Sequence, residues 1–145
     1  MNLSDLLKKR EVEKVDSDQK TAEKLLAVAR GNIKAAEDNI VMKHGDVALS
    51  LAYHSMLNAG RALMAAKGYR AFSEFHHRAT VDFCAAMLGA ENGELVERFN
   101  RYRTRRHDIV YGDVESDSVG ENEAKNAVQK AKEFIEIVKA KISKS

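Results

Sequence analysis

Proline is absent from this chain of 145 residues, so nothing forces a helix to break, and its eight glycines must do most of the punctuation. The lone cysteine, Cys84, excludes an internal disulfide and points to a reducing compartment. No apolar run in the opening MNLSDLLKKREVEK is long enough for a signal peptide or a membrane span, so the expectation is a cytoplasmic protein with no membrane partner. Neither sign of charge dominates: 24 basic residues face 22 acidic ones, for a net charge of +2. That balance excludes a general polyanion binder, and any nucleic-acid contact has to come from a local patch. Internal repeats, low-complexity segments and β-type alternation are all missing.

What is there is helical periodicity in a globular composition, with 44% hydrophobic and 32% charged residues. A domain of this size buries roughly 70% of the surface its unfolded chain exposes, enough for a core without staples. Residues 1–15 read as an arm or short helix anchored by Leu3, Leu6, Leu7, Val12 and Val15. Asp16-Ser17-Asp18 then offers helix caps, and a first long helix carries the stripe Ala22, Leu26, Ala29, Ile33, Ala36, Ile40 up to a stop at Gly45. Asp46 is placed as the cap of a second helix, Val47 to about Lys67, apolar round most of its circumference and therefore central. It leaves one polar line, Ser50, His54, Asn58, Arg61. A third helix is expected from near Ser73 to Leu88, and a fourth from Glu94 to Tyr111 with Gly112 after it. Ser118-Val119-Gly120-Glu121 has the form of a capping box for a last helix striped by Ala124, Val128, Ala131, Ile135, Val138 and Ile142. The pattern predicts one all-α domain over 1–145, an antiparallel up-and-down bundle of four long helices plus one short helix.

The fourth helix is the chemically dense one. Its apolar stripe runs Leu95, Phe99, Tyr102, then Arg106, then Ile109. An arginine in a buried line is costly unless paired; it is either a stem that snorkels to a helix end or a functional group. Arg103, His107 and Tyr111 follow one another at i, i+4 and i+8 and so share a face. Guanidinium, imidazole and phenol gathered at one helix end suit RNA cleavage: a cation stabilises the phosphorane-like transition state, and an imidazole or phenol moves the proton of the 2′-hydroxyl. A solvated basic helix end that complements the macrodipole has the same spacing. Arg98, Arg101, Arg103, Arg105 and Arg106, interleaved with Phe99 and Tyr102, make the only patch dense enough to hold a phosphate backbone, partly neutralised by Glu94, Glu97, Asp108 and Asp113. His76, His77 and Cys84 share the third helix without a zinc-binding spacing, and no glycine-rich phosphate loop is present, so neither a metal nor a cofactor is expected.

Three stretches together resemble the HEPN family: SLAYHSMLNAGRALMAAKG (Ser50–Gly68), His76 through Phe83 with its H-x6-F spacing, and RYRTRRHDIVYG (Arg101–Gly112). The nearest branch is similar to the small stand-alone prokaryotic HEPN proteins that sit beside minimal nucleotidyltransferases; Ala52, Tyr53, Met56, Ala59, Arg61, Ala62, Leu63 and Gly68 match its second helix. The family hallmark is R-x4–6-H near a helix end, meeting its copy across a homodimer. Aligned on the helix end, Arg106-His107 matches the start of the motif, and Tyr111 stands at the histidine position, a departure that puts cleavage in doubt. Arg101 and His107 also satisfy R-x5-H, and both frames stay open.

The resemblance implies a toxin-like or defence protein, a homodimer paired with a minimal nucleotidyltransferase antitoxin, with an RNA-binding or RNase-type groove. In that groove Arg106 holds the scissile phosphate, His107 or Tyr111 transfers the proton, and Arg103, Arg101, His54 and Asn58 line the walls. It also implies Tyr111 as a target of nucleotidyl transfer. The alternative is a catalytically silent HEPN module that dimerises and binds a partner protein or a nucleotide.

Overall fold

The computed structural model describes residues 2–72, 76–111 and 118–144. Among them are six helices: α1 (Leu3–Lys8), α2 (Gln19–Val41), α3 (Gly45–Lys67), α4 (His76–Leu88), α5 (Gly93–Val110) and α6 (Glu121–Ser143). The all-α bundle is as expected, with α2, α3, α5 and α6 long and α4 shorter. Asp18 opens α2, its Oδ1 accepting from the Thr21 amide at 2.9 Å. From there Ala22, Leu26, Ala29, Ile33 and Ala36 are buried along the predicted stripe. The face of α6 buried against α2 and α3 is likewise the one its spacing indicates, widened by Ala127 and Phe134.

The α3 helix sits at the centre, packed by α2, α4, α5 and α6. Alanines at 48, 52, 59, 62 and 66 and Gly60 keep its surface shallow, so neighbours approach closely on several sides. The one buried hydroxyl turned towards α2, Ser55 Oγ, is satisfied by donating to the Ala29 carbonyl at 2.8 Å. Gly68 ends α3 in the left-handed region, φ +85°, which a side chain resists.

Four details differ from the sequence reading. The arm is more than a helix: after α1 it forms β1 (Val12–Lys14), antiparallel to β2 (Tyr69–Ala71), with Val12 opposite Ala71. Three-residue strands are too short to show alternation. Gly45 does not stop α2, which ends at Val41; it begins α3. Asp46 does not cap α3, whose N-cap is His44; its Oδ1 instead accepts from the Val119 amide at 2.9 Å and fixes the entry to α6 there. The capping box does not form, since Gly120 is the N-cap of α6 and no side chain caps it. Ser73 and Gly112, the expected start of the third helix and stop of the fourth, lie outside the described residues.

Candidate functional site

The α5 helix carries Phe99 and Tyr102 into the core, where Phe99 packs between the rings of Tyr53 on α3 and Phe134 on α6, centroids 5.9 and 5.1 Å away. One turn further on, the same stripe delivers Arg106. Its side chain is half-buried, and its Nε is fully covered with no hydrogen-bond partner among the described residues. The Tyr102 hydroxyl on the same line is covered and unpartnered as well. A covered donor normally has a partner, so each orphan marks either stored cost or a missing ligand.

Opposite α5, the fully buried Tyr53 reaches from α3 to α4, its hydroxyl 2.8 Å from His77 Nδ1. Burial pushes the Tyr53 phenol up to about 12, against the pull of the guanidiniums of Arg103, Arg106 and Arg61. The phenol is therefore protonated at neutral pH. It shares one hydrogen bond with Nδ1, in which the tautomer of the His77 ring decides which group donates. Burial also pushes His77 down to about 4, helped by repulsion from His76, Arg61, Arg106 and His54. His77 is thus a neutral imidazole offering one N–H donor. His76 lies edge-on to it, ring centroids 4.3 Å apart, and His54 lies edge-on to Tyr53 at 5.5 Å.

The charges of Arg61, Arg103 and Arg106 all act on the Tyr53 hydroxyl. Arg105 is clamped by Glu123, Nε to Oε2 at 3.1 Å, and Arg70 is bound to Glu13. Arg61, Arg103 and Arg106 form no ion pair among the described residues. Arg103 only donates to its own helix, Nε to Asn100 Oδ1 at 3.0 Å. Among the described residues no carboxylate pairs with these three charges, in a chain whose overall charge is nearly balanced.

The residues singled out from sequence divide into three groups. Arg103, Arg106 and His54 act together on the Tyr53–His77 pair. His107 and Tyr111 form a separate exposed pair at the end of α5, rings 4.5 Å apart, with Tyr111 73% exposed. Asn58 is turned to α2, where its Nδ2 donates to Asn32 Oδ1 at 3.0 Å, and Arg101 is exposed beside Asp82 and Asn100 on the α4–α5 face. His54 Nδ1 meets the Ser50 carbonyl at 2.9 Å. Sequence reasoning passed over Tyr53 and His77 as site residues. The available signal was a tyrosine on an almost wholly apolar helix: its hydroxyl needs a polar partner from another element. Among the described residues no group of His, Cys, Asp and Glu is placed to hold a metal ion, and no helix is long and apolar enough to cross a membrane.

Compared with known families, the chain matches the model of the HEPN domain over residues 22–141, a span that contains every residue of this site. No curated protein matches it significantly.

Proposed function

This chain belongs to the HEPN domain family, and from that premise we propose that it is an RNA-binding, RNase-type protein working as a homodimer in the cytoplasm. The observation that carries the reading is Arg106, whose covered Nε has no partner among the described residues and which forms a basic cluster with Arg103, one turn back on α5. A phosphate is the ligand such a cluster fits. Arginine presents paired N–H donors to its oxygens, and low local dielectric strengthens the contact. In the proposed mechanism Arg106 and Arg103 hold the scissile phosphate and stabilise the charge that builds on its oxygens as the 2′-oxygen attacks. His107 takes the proton from the 2′-hydroxyl, and the Tyr111 phenol gives its own to the 5′-oxygen as the P–O5′ bond breaks.

Exposed Val110 (51%) and Tyr111 (73%) end α5 on an apolar tip beside these polar groups, a surface that a second copy related by two-fold symmetry would cover. The same exposure supports a minimal nucleotidyltransferase as partner, since Tyr111 stands open to a modifying enzyme. The test is cleavage of total RNA by purified wild-type protein against Arg106→Ala, with light scattering on the same samples. Cleavage lost in the variant supports the reading; cleavage by neither, or equally by both, rejects it.

A second reading is favoured by one feature: with the motif aligned on Arg106, the exposed α5 end offers Tyr111 in place of the family's histidine, and the half-buried His77 is uncharged near neutral pH. Under it the domain is a silent module that dimerises and binds a nucleotide or protein. RNA retained by the wild type without cleavage, and released by Arg106→Ala, is its signature.

A further inference from the structure

Away from the α5 end, α2, α3, β2 and α4 leave a hollow of about 470 Å³ between them. Sites for small organic ligands run from roughly 300 to 1,000 Å³, with apolar walls and few polar groups. This hollow has that character. Small residues open it, Ala65 on α3 and Ala71 on β2. Met64 and Thr80 are the most deeply buried residues of its lining. The Thr80 hydroxyl is already spent on the His76 carbonyl at 2.7 Å, so the depth of the hollow is apolar. Tyr69 makes one wall, and its ring is fixed in advance by Phe83, centroids 5.4 Å apart, and by Lys14 Nζ at 4.5 Å from its centroid. The charged groups of the lining are of one sign: it contains arginine and no carboxylate. Arg70 is neutralised by Glu13, its partner across the β1–β2 register. Arg61 is half-buried and has no ion pair among the described residues.

We propose that this hollow binds a small organic monocarboxylate with an apolar body, an aryl- or alkyl-carboxylic acid, whose carboxylate pairs with Arg61 and whose body packs on Met64 and Tyr69. A single uncompensated guanidinium is matched by a single negative charge, and its planar fork fits a carboxylate in a bidentate pair. Beyond Arg61 the depth of the hollow offers no free donor. The polar edge of a nucleobase or further phosphate oxygens would lie there without partners, and that desolvation is not recovered. An apolar body meets no such cost. The hollow includes no residue of α5, so the site is independent of the phosphate assigned to Arg106. Its walls come from both α3 and α4, the two helices joined by the Tyr53–His77 bond. An occupant therefore braces that contact, and its binding raises the stability of the folded chain.

The experiment compares acids with uncharged amides of the same body. The full chain is titrated with 2-naphthylacetate and octanoate, and with 2-naphthylacetamide and octanamide, while the methyl resonances of Leu25, Met64 and Thr80 are followed by NMR. Saturable shifts at these methyls are expected, with at least one acid bound roughly tenfold or more tightly than its amide, the ratio a charge-assisted contact supplies. Binding of one acid alone assigns the body as aryl or alkyl. Arg61→Ala should reduce the acid to the level of its amide, and Arg61→Lys, which keeps the charge but not the fork, should restore part of the difference. Ala65→Leu fills the hollow and should abolish binding of acid and amide alike in a protein that still melts cooperatively. Arg30→Ala, a change on the exposed face of α2, should leave binding intact. The wild type should melt at a higher temperature with the acid than with the amide. No saturable shift with either acid overturns the proposal, and so does equal binding of acid and amide by the folded wild type. Binding of adenosine 5′-monophosphate at the same methyls, tighter than that of both acids, overturns the carboxylate class. Arg106-dependent RNA cleavage has no bearing on these outcomes, so either reading can fail without the other.

Discussion

The Tyr53 hydroxyl and His77 Nδ1 meet at 2.8 Å across the interface of α3 and α4, inside a cage of positive charge. The bond ties two helices together, and burial keeps both of its partners neutral, the phenol protonated and the imidazole uncharged.

Acid should loosen the protein through His77. Its imidazole is pushed down to about 4 in the folded chain, against an ordinary value of about 6.5 when unfolded. Between those limits the unfolded state binds more protons, so stability is fully present above about pH 6.5 and falls as pH drops towards 4. The residue is only partly buried, so solvent screening reduces the effect to about 1–2 kcal/mol. Denaturant melts of wild type and His77→Gln at pH 7.5 and 5.0 check this: the wild type should lose more stability between the two than the variant. Equal losses would disprove the assignment.

Gly60 should not tolerate a methyl group. A Cβ there would stand 2.7 Å from Thr80 Cγ2 and 3.0 Å from Cys84 Sγ. Thr80 cannot turn aside, since its Oγ1 is bound to the His76 carbonyl at 2.7 Å. The α4 helix would have to move outwards, carrying His77 from Tyr53. Overpacking of this kind costs about 1–3 kcal/mol, offset by up to about 1 kcal/mol of helix propensity. Gly60→Ala should lower the melting temperature by a few degrees and weaken phosphate binding together. An unchanged melt would show that the α3–α4 contact has slack.

The long-period features were legible in the sequence because each rests on one helix face meeting one core. The stripes of α2 and α6, the central α3 and the arginine in the buried line of α5 are all of that kind. What escaped depends on pairs distant in sequence. The hydrogen bond from Val119 to Asp46 replaced the expected cap, the β1–β2 ribbon joined residues far apart, and Tyr53 found His77. Spacing along one helix says nothing of which group another helix will offer, so Arg106 was visible as an anomaly while its surroundings were not.

Arg106 should prove a stability cost retained for ligand. Its stem fills the buried stripe, but its Nε has no partner among the described residues. Arg106→Leu removes the uncompensated donor and keeps an apolar stem of similar girth. It should raise stability by about 1 kcal/mol, since a covered unsatisfied donor costs on the order of 1–3 kcal/mol and this side chain is only half-buried. The same change should weaken RNA binding by tenfold or more. A variant both less stable and equally able to bind would show the guanidinium to be structural.

Tyr111 should be the residue a partner enzyme modifies. It is 73% exposed at the C-cap of α5, and its ring stacks on His107 at 4.5 Å rather than on the core. Its hydroxyl is therefore open to attack on a nucleotide, whereas the Tyr53 hydroxyl is buried and Tyr102 is covered. Adding a nucleotidyl group there places a phosphodiester anion at the end of the helix that carries Arg103 and Arg106, where charge-assisted pairing would occupy the guanidiniums. RNA binding would be silenced without unfolding, because no buried contact is broken. Co-expression with a minimal nucleotidyltransferase, followed by intact-mass measurement, should show one nucleotidyl addition in the wild type and none in Tyr111→Phe. The modified protein should lose RNA binding at an unchanged melting temperature. An addition that persists in Tyr111→Phe would place the modification elsewhere, and a modified protein that still binds RNA would break the link between Tyr111 and the arginine cluster.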